Sequence, residues 1–410
     1  MAGIVIVGAG HAAGQAAASL RQEGYEGPIT LIGDEAHPPY QRPPLSKQYL
    51  SGEHGLEKVY LRPEKFYGDK NITLLKETRV DSIDPKAKTA TDNTGASHPY
   101  DKLLLATGSR PRHLDIPGSQ LDGIHYLRTI ADVDDISAAM KSARQLCIVG
   151  GGYIGLEVAA VAVAAGLEVT LLEMESRILQ RVTTQEMSDY YHQLHSSRGV
   201  KIKVGTGVTG FAGDGRVAEV LCGQDHEACL AADLVIVGIG ILPNVELAEA
   251  AGLDCDNGIV VDDHCRTSDA DIYAAGDCTN HPNPILERRL RLESVPNAME
   301  QARTAATNML GGDKTYAAVP WFWSDQYELK LQMVGFSTDA DEAIVRGDKA
   351  ANQFAVFYLR GGKVVAVDAV NSPKEFMTGK QLYGKAVDPA GRAALADPGQ
   401  DLKALLNQPP

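Results

Sequence analysis

The sequence predicts an α/β protein with two Rossmann-like halves and a smaller α+β domain towards its C-terminal end. Three observations predict it. A short apolar strand, a glycine-rich turn and a small-residue helix follow one another twice, starting at Ile4 and at Leu146. Further short apolar runs end in glycine, as buried strands of a parallel sheet do. From about Tyr316 the texture changes to strands joined by a tight glycine turn.

In the first copy, residues 4–7 run into Gly8-Ala9-Gly10-His11-Ala12-Ala13-Gly14, then a helical stretch (15–20) and a second strand (29–32). In the second, residues 146–149 run into Gly150-Gly151-Gly152-Tyr153-Ile154-Gly155, a helix (156–165) and a strand (169–172). Each is a βαβ unit with its own phosphate-binding turn. Buried-strand runs follow at 102–106, ending in Thr107-Gly108; at 234–237, ending in Gly238-Ile239-Gly240; and at 272–275, ending in Gly276-Asp277. Asp92-Asn93-Thr94-Gly95 and Asp256-Asn257-Gly258 carry turn chemistry. Residues 354–359 and 363–370, joined by Gly361-Gly362, form a hairpin, and the polar tail beyond Gln381 packs on the surface. The expected organisation is a discontinuous first nucleotide domain (1–110 and 240–315), a second inserted within it (111–239), and a C-terminal α+β domain (316–410).

At 410 residues the chain is too long for one core. Its 44% hydrophobic and 22% charged residues exclude disordered and fibrous classes. No apolar run reaches the roughly 18 to 20 residues a membrane span needs, and the first residues enter a strand without secretory features, so a cytoplasmic protein is expected. A net charge of −14 repels nucleic-acid phosphates and anionic membranes, which removes both as bulk partners. The six cysteines (147, 222, 229, 255, 265, 278) form no C-x-x-C pair and no zinc spacing. Free thiols and no metal are expected.

The first turn places Gly8 at the tight bend and Gly10 where backbone approaches a pyrophosphate, with Ala13 or Gly14 keeping the helix close to the sheet. Gly33 occupies the strand end where an acid is expected, and Asp34, just beyond it, is the candidate for the ribose. The second turn, Gly150-x-Gly152-x-x-Gly155, is complete, and its second strand ends in Glu173. A carboxylate there accepts both ribose hydroxyls of NADH and repels the 2′-phosphate of NADPH. Two such sites in one chain imply a resident flavin dinucleotide, FAD, and an exchanging NADH. Tyr40-Gln41-Arg42-Pro43-Pro44-Leu45-Ser46-Lys47, where a thiol relay beside the flavin would sit, contains no cysteine. Reduced flavin must then pass its electrons directly to an outside acceptor.

Several longer stretches carry a resemblance: Arg42-Pro-Pro-Leu-Ser-Lys47, Leu103-Leu-Leu-Ala-Thr-Gly-Ser-Arg-Pro-Arg112, Tyr126-Leu-Arg-Thr129 and Val149-Gly-Gly-Gly-Tyr-Ile-Gly-Leu-Glu157. Gly276-Asp-Cys278, Glu293-Ser-Val-Pro-Asn297 and Pro320-Trp-Phe-Trp-Ser-Asp-Gln-Tyr327 complete it. Over about residues 3–378 the chain resembles the bacterial FAD-dependent, NADH-dependent ferredoxin reductases of oxygenase systems, which have a glutathione-reductase-like fold. The resemblance implies FAD contacts at Ala12, Asp34, Lys47, Val80, Arg128, Asp277 and Val295, with Arg42, Thr107 and Gly108 inside the same motifs. It implies NADH contacts along Gly150, Gly152, Tyr153, Ile154, Gly155, Glu157, Glu173 and Gly240. Glu157 would lie near the nicotinamide, orienting the carboxamide or pairing with Lys47; the plain alternative is an exposed helix glutamate. Trp323, which with Trp321 shares one face of an extended segment, would wall the flavin and offer an electron exit.

Lys47, Glu157 and Trp323 are therefore the candidate catalytic residues. Arg288, Arg289 and Arg291, with Arg303 and Lys330, form a weak candidate rim for docking an acidic ferredoxin; a solvated charge run is the bland reading. The activity implied is NADH-to-ferredoxin electron transfer, with a 2Fe-2S ferredoxin feeding a haem-thiolate monooxygenase or a ring-hydroxylating dioxygenase, by a monomer or weak dimer. The alternatives are a rubredoxin reductase or NADH oxidase of the same fold, or an NADH-gated interaction module.

Overall fold

A computed structural model describes residues 2–223 and 227–406, with only the backbone course for 227–229. The chain forms two compact units. One takes the chain up to Arg42, then His54–Arg110 and Ile241–Pro320; the other takes Pro43–Glu53, Pro111–Gly240 and the chain from Trp321 onward.

The first unit is built on a seven-stranded sheet in the order Ile72–Leu75, Ile29–Ile32, Gly3–Val7, Ser97–Leu105, Thr89–Asp92, Val80–Asp84, with Ile272–Ala274 also paired to Ser97–Leu105. The strands nearest Gly3–Val7 run parallel to it. That suits their unbroken Val/Ile/Leu character, since both faces of a parallel sheet are covered. The helix His11–Gln22 and the helix Val295–Met309 pack on one face through small residues, Ala12, Ala13, Ala16, Ala17, Ala302, Ala305 and Ala306. The other face buries Val5, Val7, Leu103, Leu105 and Ile272.

The second unit holds a five-stranded parallel sheet ordered Lys201–Lys203, Glu168–Leu172, Gln145–Val149, Leu234–Val237, Ile124–Tyr126. The helix Tyr153–Ala164 opens directly after the Gly150 turn and packs on the strands it joins. Beyond Trp321 the same unit contains an antiparallel five-stranded sheet, Trp321–Gln326, Leu329–Gly335, Lys363–Val370, Gln353–Arg360, Glu342–Asp348. The expected Gly361-Gly362 hairpin is its centre, with Phe354, Val356, Tyr358, Val364 and Val367 buried. The polar tail is more structured than its composition suggests: helices Pro389–Ala396 and Lys403–Leu406 bury Leu395, Leu402 and Leu405.

Five cysteines, Cys147, Cys222, Cys255, Cys265 and Cys278, are free thiols, and the side chain of Cys229 lies outside the described residues. Burial pushes Cys255 up to about 11 and raises Cys265 and Cys278 as well. These sulfurs stay protonated at neutral pH and are poor nucleophiles. No described helix is long and apolar enough to cross a membrane.

One buried charge links the C-terminal sheet to the loop that follows Glu173. Asp368, 4% exposed, accepts from Thr183 Oγ1 at 2.7 Å and from Tyr358 OH at 3.1 Å. Desolvation raises its pKa to about 6, against the pull of those two hydroxyls. In the unfolded chain it ionises near 4, so between about pH 4 and 6 the folded state binds the extra proton and stability falls as pH rises. Asp368→Asn is expected to flatten that slope and to raise unfolding free energy above pH 6 by on the order of 2 kcal/mol. Urea unfolding of both proteins on either side of that window checks it; parallel curves would rule out this source.

Candidate functional site

Each unit carries one glycine-nosed helix. In the first, Gly8 turns at φ +102, and a Cβ there would lie 2.3 Å from the Ala106 carbonyl oxygen. Gly10 caps the helix with extended backbone and no side-chain cap, and a Cβ on it would meet nothing within 4 Å. The first-turn N–H groups therefore face open space with no protein acceptor, a cradle that fits a pyrophosphate. His11, not singled out from the sequence, opens this helix with Nδ1 buried and without a hydrogen-bond partner. Burial lowers its pKa to about 4, with Asp277 opposing and Arg42 assisting. Its only sequence signal is its place directly after Gly10.

Ala13 is fully buried against the sheet, but Gly14 serves a different neighbour: a Cβ there would strike Pro39 at 2.7 Å. Gly33 is required because a Cβ would meet that of Ala9 at 2.3 Å. That explains why the acid stands one place on, where Asp34 is exposed. Its neighbour Glu35 is engaged, accepting from Tyr40 OH at 2.6 Å and Arg42 at 3.0 Å. Arg42 is thereby committed to a local cluster, with its guanidinium also 5.0 Å from the Tyr40 ring centroid. Asp277 accepts from Ser109 Oγ at 2.9 Å. Thr107 turns its hydroxyl to the Asn244 carbonyl at 2.7 Å, which leaves backbone and Gly108, at φ +65, as what this turn presents. Val80 is buried, and Val295 starts its helix behind Ser294, whose Oγ accepts from Asn297 N.

In the second unit Gly150 repeats Gly8, at φ +110 with a Cβ 2.3 Å from the Gly238 carbonyl, and Gly152 repeats Gly10 as an uncapped, open N-cap. Gly155 lets the helix close on the turn, since a Cβ would sit 2.2 Å from the Gly150 carbonyl. Glu173 accepts from Gly151 N at 2.7 Å and Glu175 N at 2.8 Å, which fixes its carboxylate beside the turn. Ile154 is 42% exposed at the helix opening, while Tyr153 packs its ring 5.4 Å from Phe322. Gly240 is exposed at φ +107. Arg128 begins the capping segment of the helix Ile130–Met140, its backbone N–H donating to Asp132.

Glu157 is not an exposed helix glutamate: it is 2% exposed. Lys47 Nζ donates to it at 2.6 Å, Ser46 Oγ at 2.5 Å and Ser324 Oγ at 2.6 Å. Of the two roles left open for Glu157, the pairing with Lys47 is the one formed. Desolvation raises the carboxyl pKa and Lys47 pulls it back. Ser46 and Ser324 lie inside the motifs quoted above, yet the sequence did not mark them as ligands of one carboxylate. Trp323 is half-buried, its ring 5.7 Å from Trp321 and 6.2 Å from Phe322. The strand's period of two sets the indoles on one face and Ser324 on the other.

The basic set does not form one free rim. Arg289 donates to the carbonyls of Val261 and Asn280, at 2.8 and 2.7 Å. Arg291 pairs with Glu293, and Arg303 with Glu300, both at 2.5 Å. Arg288 and Lys330 are exposed, the former in the first unit and the latter in the second.

The two kinds of glycine separate by experiment. Gly150→Ala, which needs a left-handed backbone and strikes a carbonyl, is expected to cost about 2 kcal/mol or more of folding stability. Gly152→Ala should leave stability within about 0.5 kcal/mol while weakening NADH binding. Denaturant titration with NADH binding on the same samples decides it; equal stability loss in both would refute the distinction.

Comparison with known proteins agrees with this architecture. Residues 2–302 match the family model described as pyridine nucleotide-disulphide oxidoreductase, and residues 321–406 match the one described as reductase C-terminal. The chain is 45% identical over 409 residues to putidaredoxin reductase of Pseudomonas putida, covering 98% of this chain and 96% of that one. The crystal structure of the ferredoxin reductase for the CYP199A2 system of Rhodopseudomonas palustris superposes with a TM-score of 0.94 at 40% identity, over 99% of this chain and 100% of that chain. That of the covalent putidaredoxin reductase–putidaredoxin complex gives 0.93 at 45%, over 99% and 98%. With matches over almost its whole length, this chain belongs to the pyridine nucleotide-disulphide oxidoreductases, among the ferredoxin reductases of oxygenase systems.

Proposed function

We propose that the chain is an FAD-containing, NADH-dependent ferredoxin reductase of the cytoplasm, which passes electrons to a 2Fe-2S ferredoxin serving an oxygenase. The observation that carries the reading is the pair of uncapped glycine-nosed helices, one per unit, in a chain whose described cysteines form no disulfide. The likeness to putidaredoxin reductase supports an iron–sulfur protein as acceptor.

Bound FAD supplies the chemistry that accepts a hydride and releases electrons one at a time. The chain's residues bind, orient and hold charge. The helix opening at His11 offers its free N–H groups to the FAD pyrophosphate, and Asp34 and Asp277 offer carboxylates to hydroxyls of the same cofactor. The helix opening at Tyr153 offers its amides to the NADH pyrophosphate. Glu173, already oriented by two backbone N–H groups, accepts the ribose hydroxyls. The nearest following cation, Arg177, is turned to the carbonyls of Thr184 and Gln180 instead of towards a 2′-phosphate. Glu157 holds the Lys47 side chain in place through their ion pair, and that charge would favour the reduced form of the cofactor. By likeness to the family, Trp323 would offer its indole for electron exit, and the exposed Lys330 would help steer the acceptor.

Mixing the purified FAD-loaded protein with NADH and a panel of 2Fe-2S ferredoxins and rubredoxins tests the reading. Rapid ferredoxin reduction supports it. Oxygen consumption with no ferredoxin turnover would favour an oxidase, and a long-lived reduced complex that changes oligomeric state would favour an interaction module.

Glu173→Ala is expected to weaken NADH use by about tenfold and to narrow the gap to NADPH; steady-state kinetics with both nucleotides reads this, and an unchanged preference removes the ribose role. Trp323→Ala should slow ferredoxin reduction more than flavin reduction by NADH. Stopped-flow measurement of the two half-reactions compares them, and equal slowing denies the indole a special part in electron exit.

A further inference from the structure

Behind Ser324 the polar contacts do not stop. Gln326, two residues further along the same face of the strand and 1% exposed, donates from Nε2 to Ser324 Oγ at 3.1 Å. Its Oε1 lies 2.8 Å from His195 Nε2, and His195 Nδ1 lies 3.1 Å from Tyr327 OH. His195 is fully buried on the helix Gln185–Ser197.

With the Gln326 amide oriented as it stands, its oxygen towards His195, the donor sense of this chain follows. An amide oxygen only accepts, so His195 Nε2 carries the proton and donates. Burial keeps the ring neutral at working pH, lowering its pKa to about 4. Nδ1 is then an acceptor and takes the Tyr327 hydroxyl proton. Every donor therefore points the same way, from Tyr327 to His195 to Gln326 to Ser324 and so to Glu157 Oε1. The amide is the weak link: flipped by half a turn, it would present Oε1 to Ser324 and compete with Glu157 for the hydroxyl proton. Only a donor at the position of His195 Nε2 forbids that flip.

We propose that His195 is a positioning residue for Glu157: it locks the Gln326 amide in the orientation that makes Ser324 donate to the carboxylate paired with Lys47. The inference rests on the reading that the Lys47–Glu157 pair serves flavin reduction. Charged and titratable groups facing this chain are Lys47 from the turn at 43–47, Tyr153 from Glu157's own helix, and His192 and Tyr191 from the helix of His195. Asp325 and Tyr327, with Arg198 over the Tyr327 ring and Glu328, come from the strand segment, and Asp368 faces Tyr153 and Tyr191 from the C-terminal sheet. Asp368 titrates nearby but is bonded to Thr183 and Tyr358, outside this chain of donors.

Losing the Ser324 donor makes the Glu157 carboxyl harder to ionise, so the acid limb of flavin reduction by NADH moves to higher pH. In stopped-flow measurements on the FAD-loaded enzyme, His195→Leu is expected to raise that limb by about one pH unit. His195→Gln, whose amide N–H reaches the place of Nε2, is expected to leave it near wild type, and Gln326→Leu to reproduce the leucine effect should His195→Leu fold poorly. Glu157→Gln should abolish the limb. Nitrogen-15 NMR of histidine-labelled apoprotein gives an independent readout, expected to show a neutral ring protonated at Nε2. An unshifted limb in both leucine variants, an equal shift in His195→Leu and His195→Gln, or a ring protonated at Nδ1 overturns the proposal. A wild-type protein whose flavin NADH does not reduce would overturn instead the functional reading beneath it, while the NMR result would still stand.

Discussion

The buried carboxylate of Glu157 is the constraint around which the second unit is arranged. A carboxylate removed from water costs several kcal/mol unless a cation and further donors replace its hydration. Lys47 supplies the charge, and Ser46 and Ser324 supply the remaining bonds, from positions 111 and 167 residues away in sequence. Three separate stretches must therefore meet at one carboxylate: the turn at Pro43–Ser46, the helix Tyr153–Ala164 and the strand Trp321–Gln326. This accounts for the membership of Pro43–Glu53 in the second unit although the chain on both sides belongs to the first. Eleven residues leave their flanking neighbours because the ion pair sits elsewhere. Removing one partner would strand the other charge, a loss of about 3 to 5 kcal/mol for pairs of this kind.

The two glycine-nosed helices show the same local solution reached twice. At Gly8 and Gly150 the side chain is forbidden by backbone, since a carbonyl oxygen from a neighbouring strand end occupies the place of a Cβ. At Gly10 and Gly152 nothing among the described residues lies within 4 Å of that place, so the missing side chain leaves the helix opening unobstructed. The first kind of glycine is required by the backbone of the turn; the second is not required by any described neighbour. The fingerprint contains both kinds, side by side.

That distinction explains what could be read from the sequence. The βαβ units, the two turns, the Gly361-Gly362 hairpin and the strand-end position of Glu173 depend on neighbours within a few dozen residues, and local pattern exposes them. Gly33 in place of an acid looked like a defect, and its cause, the Cβ of Ala9, is local too but needs the turn's geometry. Glu157 was ambiguous because a helix position fixes a direction and not an environment; its burial is decided by residues more than a hundred positions away. Arg289 failed differently. A basic run looks alike whether its guanidinium is unengaged or, as here, donates from the surface to the carbonyls of Val261 and Asn280. His195 and Gln326 carried no local signal at all. Only the period of the tryptophan strand hints at them, since it separates Trp321 and Trp323 from Ser324 and Gln326.

That strand also bears on how a member of a disulphide oxidoreductase family works without a disulfide. In a thiol relay two sulfurs take both electrons together and must ionise to react. Here the described cysteines form no disulfide, and burial holds Cys255, Cys265 and Cys278 protonated, which disfavours that route at these three sulfurs. The strand Trp321–Gln326 has two unlike faces. One bonds the carboxylate that fixes Lys47; the other presents paired indoles, half-exposed and polarisable. Because successive side chains on a strand point to opposite faces, holding Ser324 against Glu157 also fixes the face from which Trp323 projects. The bond to the carboxylate that pairs with Lys47 and the pair of indoles are set by a single backbone segment, one residue apart.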